Sequence, residues 1–365
     1  MRILPVYLAV FGSLIFSTAA HADSQKISIG RYQSRAIWTQ ISADPSSKKP
    51  VVILIPGSGP NGPEEEMTGD ITGDGQAHSL FGEFSTPFNQ AGVSTLQLGK
   101  PGIDYYSPGD ADPVFYNKVL YENLHWRDLL NNLADGLAWV KTQPGVDLNR
   151  IYVLGHSEGT QVATDYAAID KSFAGIILLG YAGEDVSTTL NWQIFHRDLE
   201  DWIIPNVDTN HDGYVSKAEA DLWPEFQWDW TSDQEKLSYA EIDSAETSNQ
   251  DYINDYNSAE KIPLYQDGIF NRGPLYTNTA SVEQTVYVFN GSLDVETPPE
   301  QSLKLDATCK LMKKKNCYVT IVPGVGHGFS PPKAPRAQKL LDATLGPVTP
   351  AFQSMLFDLA KKISR

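Results

Sequence analysis

The stretch Gly155-His156-Ser157-Glu158-Gly159 carries the clearest chemistry in this chain. An apolar, β-branched run from Ile151 to Leu154 leads into it, and a helix-compatible segment follows. A serine in a G-x-S-x-G turn between strand and helix is pushed out at the carboxyl end of a sheet, and the next backbone N–H, here that of Glu158, is free for an oxyanion. Gly155 and Gly159 leave room for the tight turn. The serine hydroxyl needs a base to take its proton and a carboxylate to hold that base. With such a turn the chain order is Ser, Asp/Glu, His. Downstream, a strand over Thr285 to Asn290 runs into Asp294, and a strand over Tyr318 to Val322 runs into His327. Both lie just past carboxyl ends of strands, where open α/β sheets place ligands. Asp294 and His327 are therefore the candidate acid and base, with Asp185 as the rival acid. His156 lies inside the turn and faces away if Ser157 faces out. A second oxyanion donor is expected from the loop after Val51–Ile55, Gly57-Ser58-Gly59, at the Ser58 N–H.

A second motif lies at residues 208–219, DTNHDGYVSKAE, which fits D-x-[DN]-x-[DN]-G-x5-E throughout. This resembles the EF-hand loop, in which hard oxygens surround Ca²⁺ about a sharp glycine turn. Asp208, Asn210 and Asp212 would supply side-chain oxygens and Tyr214 its carbonyl. Ser216 would give a hydroxyl or a bridged water, and Glu219 a bidentate carboxylate. Ser216 and Glu219 also form a capping box for an exit helix. No second loop matches the pattern, and Pro205 is expected to interrupt the entering helix. The role expected for Ca²⁺ is structural.

Around these motifs, continuously apolar strands alternate with helices, the pattern of a mainly parallel sheet flanked by helices. The strands are expected at Val51–Ile55, Val93–Leu98, Ile151 onward, Gly175–Leu179, 285–290 and 318–322, with an antiparallel pair over 26–42. Helices are expected at 79–91, 117–142, after the serine turn, 299–313 and 351–363. No internal repeat stands out. Net charge is −17, which argues against nucleic acid and anionic membranes. The charge is concentrated: residues 187–283 hold 19 acidic against 5 basic side chains, and five of the eight tryptophans. That shift marks an inserted acidic cap, dividing the chain into core 23–186, cap 187–283 and core 284–365.

The first 22 residues read as a secretory leader. Arg2 gives a positive start, Ile3 to Phe16 is apolar, and Ala20-His21-Ala22 fits a cleavage site. The mature chain is then expected to carry no membrane span and to be exported, periplasmic or secreted. Cys309 and Cys317 are the only cysteines, and an oxidising compartment favours their disulfide.

IPGSGP at 55–60, LGKPG at 98–102, LGHSEG at 154–159, NGSLDVETPPEQ at 290–301 and VPGVGHGF at 322–329 together resemble the α/β-hydrolase superfamily. The likeness is to bacterial serine esterases of the dienelactone-hydrolase/serine-aminopeptidase-like group. It implies Ser157 as nucleophile, Asp294 as acid and His327 as base, and ester hydrolysis through an acyl-enzyme without an organic cofactor. The chain departs from that pattern at Pro101, Thr160 and Asn61–Glu64. The partner expected is a small-molecule ester. Three alternatives stay open: an aminopeptidase or amidase on the same triad, a transacylase, and a non-catalytic calcium-dependent binding protein.

Overall fold

The computed structural model describes residues 24–68, 72, 74–106, 113–331 and 346–365; the expected leader at 1–22 lies outside the described residues. The core is one eight-stranded sheet. Its strands are β1 (Ser24–Ile29), β2 (Ser34–Thr39), β3 (Lys49–Ile55), β4 (Ser94–Leu98), β5 (Val146–His156), β6 (Gly175–Leu179), β7 (Thr285–Gly291) and β8 (Cys317–Val322). They lie in the order 1-2-4-3-5-6-7-8. Only β2 runs antiparallel to its neighbours, and every pair from β4 to β8 is parallel.

The continuous apolar runs arise because both faces are covered. Alternate side chains of β3 divide between two cores. Val51, Ile53 and Ile55 pack with α2 (Trp126–Lys141), α3 (Glu158–Ile169) and α5 (Pro299–Leu311), whereas Val52 and Leu54 pack with α1 (Leu80–Gln90) and α6 (Pro350–Ser364). The sixth labelled helix, α4 (Val186–Phe195), follows β6 and opens the acidic segment.

Two sequence expectations change. The single helix over 117–142 is broken: a short turn at Lys118–Glu122 ends at Asn123, and α2 begins after His125. The break has a local cause. Asp128 reaches back to the His125 N–H at 2.8 Å and so starts a new helix there. Pro205, in turn, does not end the entering helix. The segment Asp198–Val207 winds wider than an α-helix, with Asp208 N bonded to Ile203 O five residues back, so the missing proline N–H is tolerated.

The acidic segment has a small core of its own, built from Leu199, Ile203, Val207, Val215, Trp223, Leu237 and Ile242. At its centre Tyr214–Ser216 pairs antiparallel with Lys236–Ser238, setting Val215 against Leu237. Each strand leads into a helix capped by the same box, Ser216 with Glu219 and Ser238 with Glu241. The pairing exposes a short internal repeat, VSKAEAD at 215–221 against LSYAEID at 237–243. The 208–219 loop therefore has a structural partner at 237–243. That partner lacks the leading acidic pattern and escapes a motif search.

Cys309 in α5 is bonded to Cys317 at the start of β8. The closed loop is short, so reduction or a Cys309→Ser/Cys317→Ser pair should lower stability by about 2–3 kcal/mol. A melting temperature unchanged by reductant would contradict this.

Candidate functional site

Ser157 stands between β5 and α3 at φ 53° and ψ −122°, a left-handed conformation rare for a side-chain-bearing residue. Its N–H is held by Leu179 O of β6 at 2.9 Å. The flanking glycines are required by contact. A Cβ on Gly155 would lie 2.1 Å from Gly159 O, and one on Gly159 would lie 2.5 Å from Ile55 O. Among the described residues neither the Ser58 N–H nor the Glu158 N–H has a protein acceptor. Both residues line one cavity with Ser157.

The structure brings Asp294 and His327 together. Both Asp294 oxygens lie 3.0 Å from His327 Nδ1. The NGSLDVET motif explains how this carboxylate is held. Its Oδ1 accepts the N–H groups of Glu296 and Thr297 at 2.9 Å, and its Oδ2 accepts from Asn290 Nδ2 at 3.2 Å and Thr297 Oγ1 at 3.0 Å. Burial opposes the His327 imidazolium, but the charge and hydrogen bond of Asp294, aided by Glu296 and Glu65, outweigh it and leave the group above its ordinary value. Ser157 Oγ makes no hydrogen bond to His327 here. Thr297 links the two: it lines the Ser157 cavity, and its hydroxyl is 3.2 Å from His327 Nδ1. Asp185 is committed elsewhere. It caps α4 through the Thr188 N–H and accepts the Gly273 N–H, both at 2.8 Å.

Three further residues went unnoticed in the sequence. Lys100, from LGKPG, meets the Glu158 carboxylate at 2.7 Å in a buried pair. Tyr265, far along the acidic segment, donates its hydroxyl to the other Glu158 oxygen at 2.7 Å. Burial first, then the Glu158 charge, raises the Tyr265 phenol well above its usual range, so it stays a donor. Glu65 accepts the Gly57 N–H at 2.7 Å and lies 3.0 Å from His156 Nδ1. For Lys100 the sequence signal was a charged residue inside the apolar and glycine-rich run LQLGKPG; Glu65, one of three consecutive glutamates, and Tyr265 carried none. The cavity has a volume of about 90 Å³, with Thr189, Leu190 and Gln193 of α4 and Tyr265 facing Ser157, Ser58 and Thr297.

In the 208–219 loop, Asp208 is buried and accepts from Gly213 N, Asp212 N and the Tyr239 hydroxyl. Asn210 Oδ1 accepts Asp212 N, and Asp212 Oδ1 accepts Tyr214 N. Glu219 spends one oxygen on Thr209 and Asn210 and the other on Ser216. Among the described residues no three acidic, histidine or cysteine side chains converge as a metal cluster.

A mainly parallel sheet in the order 1-2-4-3-5-6-7-8, with a strained serine turn after β5, defines the α/β-hydrolase fold. No family model matches the chain, and no curated protein matches it. It is similar to solved structures at low identity. Est1E from Butyrivibrio proteoclasticus is 14% identical with a TM-score of 0.47, covering 93% of this chain and 98% of that one. Carboxyl esterase 2 from Tuber melanosporum is 11% identical at TM-score 0.49, covering 96% and 90%. The acylaminoacyl peptidase of Pyrococcus horikoshii is 14% identical at 0.48, covering 90% and 41%.

The electrostatics give a direct test. The His327 imidazole, followed by NMR, should titrate above the ordinary histidine value of about 6.5. Glu296→Gln removes one raising charge and should move that midpoint down. A midpoint below 6.5, or one indifferent to this change, would refute the assigned causes.

Proposed function

We propose that this protein is an exported serine hydrolase that cleaves carboxylic esters through an acyl-enzyme. The observation that carries the reading is the buried Asp294–His327 pair, reached through Thr297 from the cavity in which strained Ser157 meets the Ser58 and Glu158 N–H groups. His327 takes the Ser157 proton as Oγ attacks the acyl carbon. The N–H groups of Ser58 and Glu158 receive the oxyanion. Asp294 stabilises the imidazolium, which then protonates the departing alkoxide. Water, deprotonated by His327, releases the acid and restores Ser157. Apo contacts between nucleophile and base are often loose and tighten on binding.

The small cavity favours short acyl groups. A second reading, an aminopeptidase or amidase, gains from one observation. A cavity of about 370 Å³ shares Thr189 with the first and is lined by Glu184, Glu200, Asp201, Glu300 and Lys304, the last paired with Glu184 at 2.8 Å. Burial, then the charges of Glu200 and Glu300, pushes Asp201 up to about 6, a repulsion that a substrate's ammonium would relieve. Export is supported by the leader-like 1–22 and by the disulfide. Among the described residues no helix is long and apolar enough to cross a membrane.

Ser157→Ala should lower turnover of p-nitrophenyl acetate by several orders of magnitude while leaving the melting curve intact. Activity within about tenfold of the parent would sink the triad. Acetyl esters should be preferred to octanoyl esters. Faster cleavage of aminoacyl-anilides than of any ester would favour the second reading.

We also infer that Ca²⁺ is the ion the 208–219 loop would take. The donors are all hard oxygens, from Asp208, Asn210, Asp212, Tyr214, Ser216 and Glu219. Binding would exchange the amide contacts of Glu219 for the cation and offset the net charge of the acidic segment. Ca²⁺ at a hundredfold excess over Kd adds about 2.7 kcal/mol to the folded state. Calcium should therefore raise the melting temperature, and Asp208→Ala or Glu219→Gln should abolish the shift. Melting indifferent to calcium and chelator would leave the loop a plain acidic turn.

A further inference from the structure

Glu65 is almost fully buried and lies in the loop between β3 and α1. Its backbone is held at φ 44°, in the left-handed region. One oxygen, Oε1, meets both the Gly57 N–H at 2.7 Å and His156 Nδ1 at 3.0 Å. On the far side of the ring, His156 Nε2 lies 3.3 Å from the backbone oxygen of His327. The His156 and His327 rings are 4.8 Å apart. So a single carboxylate touches the residue before Ser58 and the residue before Ser157, and reaches the backbone of His327 through one imidazole. These are the three chain segments that the hydrolase reading needs in register.

We propose that Glu65 is a positioning residue that fixes the Ser58 loop, the Ser157 turn and the His327 loop against one another. The proposal rests on the hydrolase reading above and adds a residue to it.

Proton counting explains why a carboxylate stands here. A carboxylate and a backbone carbonyl only accept hydrogen bonds. For His156 to bond to both, the Glu65–His156 pair must hold one proton beyond the Nε2–H, on Nδ1 or on the carboxyl. Either arrangement is neutral overall, so the pair can lie buried at 3% and 2% side-chain exposure. The Gly57 N–H is thereby occupied, which leaves the next N–H, that of Ser58, for the oxyanion. Glutamine satisfies fewer of these contacts. With its oxygen towards Gly57 and Nδ1–H, a neutral His156 sets a bare Nε2 against the His327 carbonyl. With its NH₂ towards Nδ1, the Gly57 N–H loses its acceptor. One of the three links breaks in each case.

The test compares the full chain with Glu65→Gln and Glu65→Ala, using Ser157→Ala as the inactive reference. Four quantities are measured: kcat, KM, the inhibition constant of a trifluoromethyl ketone that adds to Ser157, and the melting temperature. Misplaced oxyanion donors act on the transition state, so kcat should fall at least about tenfold in Glu65→Gln and about a hundredfold in Glu65→Ala. KM should stay within about threefold, and ketone affinity should fall in step with kcat. If Glu65→Ala does not fold, Glu65→Gln decides. A Glu65→Gln protein that melts lower but keeps the parent kcat and ketone affinity would show Glu65 to be merely structural and overturn the proposal. If the parent is active and Ser157→Ala is not, that failure belongs to Glu65 alone. If the parent turns over no ester and a fluorophosphonate leaves Ser157 unlabelled, the hydrolase reading falls and this proposal with it.

Discussion

Ser157 is held at φ 53° and ψ −122°, a conformation that costs on the order of 1–3 kcal/mol. It persists because several neighbours leave it no alternative. Leu179 O takes its N–H, and Gly155, Gly159 and Ile55 O pack too closely for any side chain between them. These contacts exist only because β5 is sandwiched between β3 and β6 with all three carboxyl ends level. The rest of the sheet serves the same end. β7 and β8 lie in parallel register beside it, so the loops that follow them deliver Asp294 and His327 to the same edge.

That edge is crowded with buried charge. Glu65 meets His156, Lys100 meets Glu158, and Asp294 meets His327, and His156 and Glu158 flank Ser157 in the chain. Buried ionic pairs add little net stability over apolar packing, but removing one partner is costly. Their value here is directional. Glu65, His156, Glu158 and Asp294 are each oriented by two or more partners, the kind of preorganisation that lowers reorganisation where charge develops. Tyr265 extends the arrangement to the acidic segment, placing a hydroxyl from that segment on the carboxylate next to Ser157.

The acidic segment follows a different physical logic. Its core is small and mainly aliphatic, with half-buried aromatic rings packed against it, and its charge opposes compaction. Two strand-plus-helix units of similar sequence pair through Val215 and Leu237, so each covers an apolar face that the other leaves open. The capping boxes at Ser216 and Ser238 set both helix starts independently of this pairing. Tyr239, from the second unit, then reaches Asp208 in the first.

Most of the core was legible in the sequence because its signals are local. Apolar runs marked β3 to β8 within a few residues, a helix-compatible stretch over 79–91 marked α1, and the glycine spacing marked the serine turn. The order Ser157, Asp294, His327 followed from where strands end, and the structure joins the last two by hydrogen bonds. The break at His125 was missed because helical spacing of leucines hides a capping residue within it. Glu65, Lys100 and Tyr265 were out of reach, as was the repeat at 237–243. Glu65 meets a histidine 91 positions away, and Tyr265 a glutamate 107 positions away. Periodicity describes which face a residue occupies, and local motifs describe how a chain turns. Which buried carboxylate finds which partners is decided only when the sheet order brings distant loops to one edge, where burial makes an unpartnered charge costly.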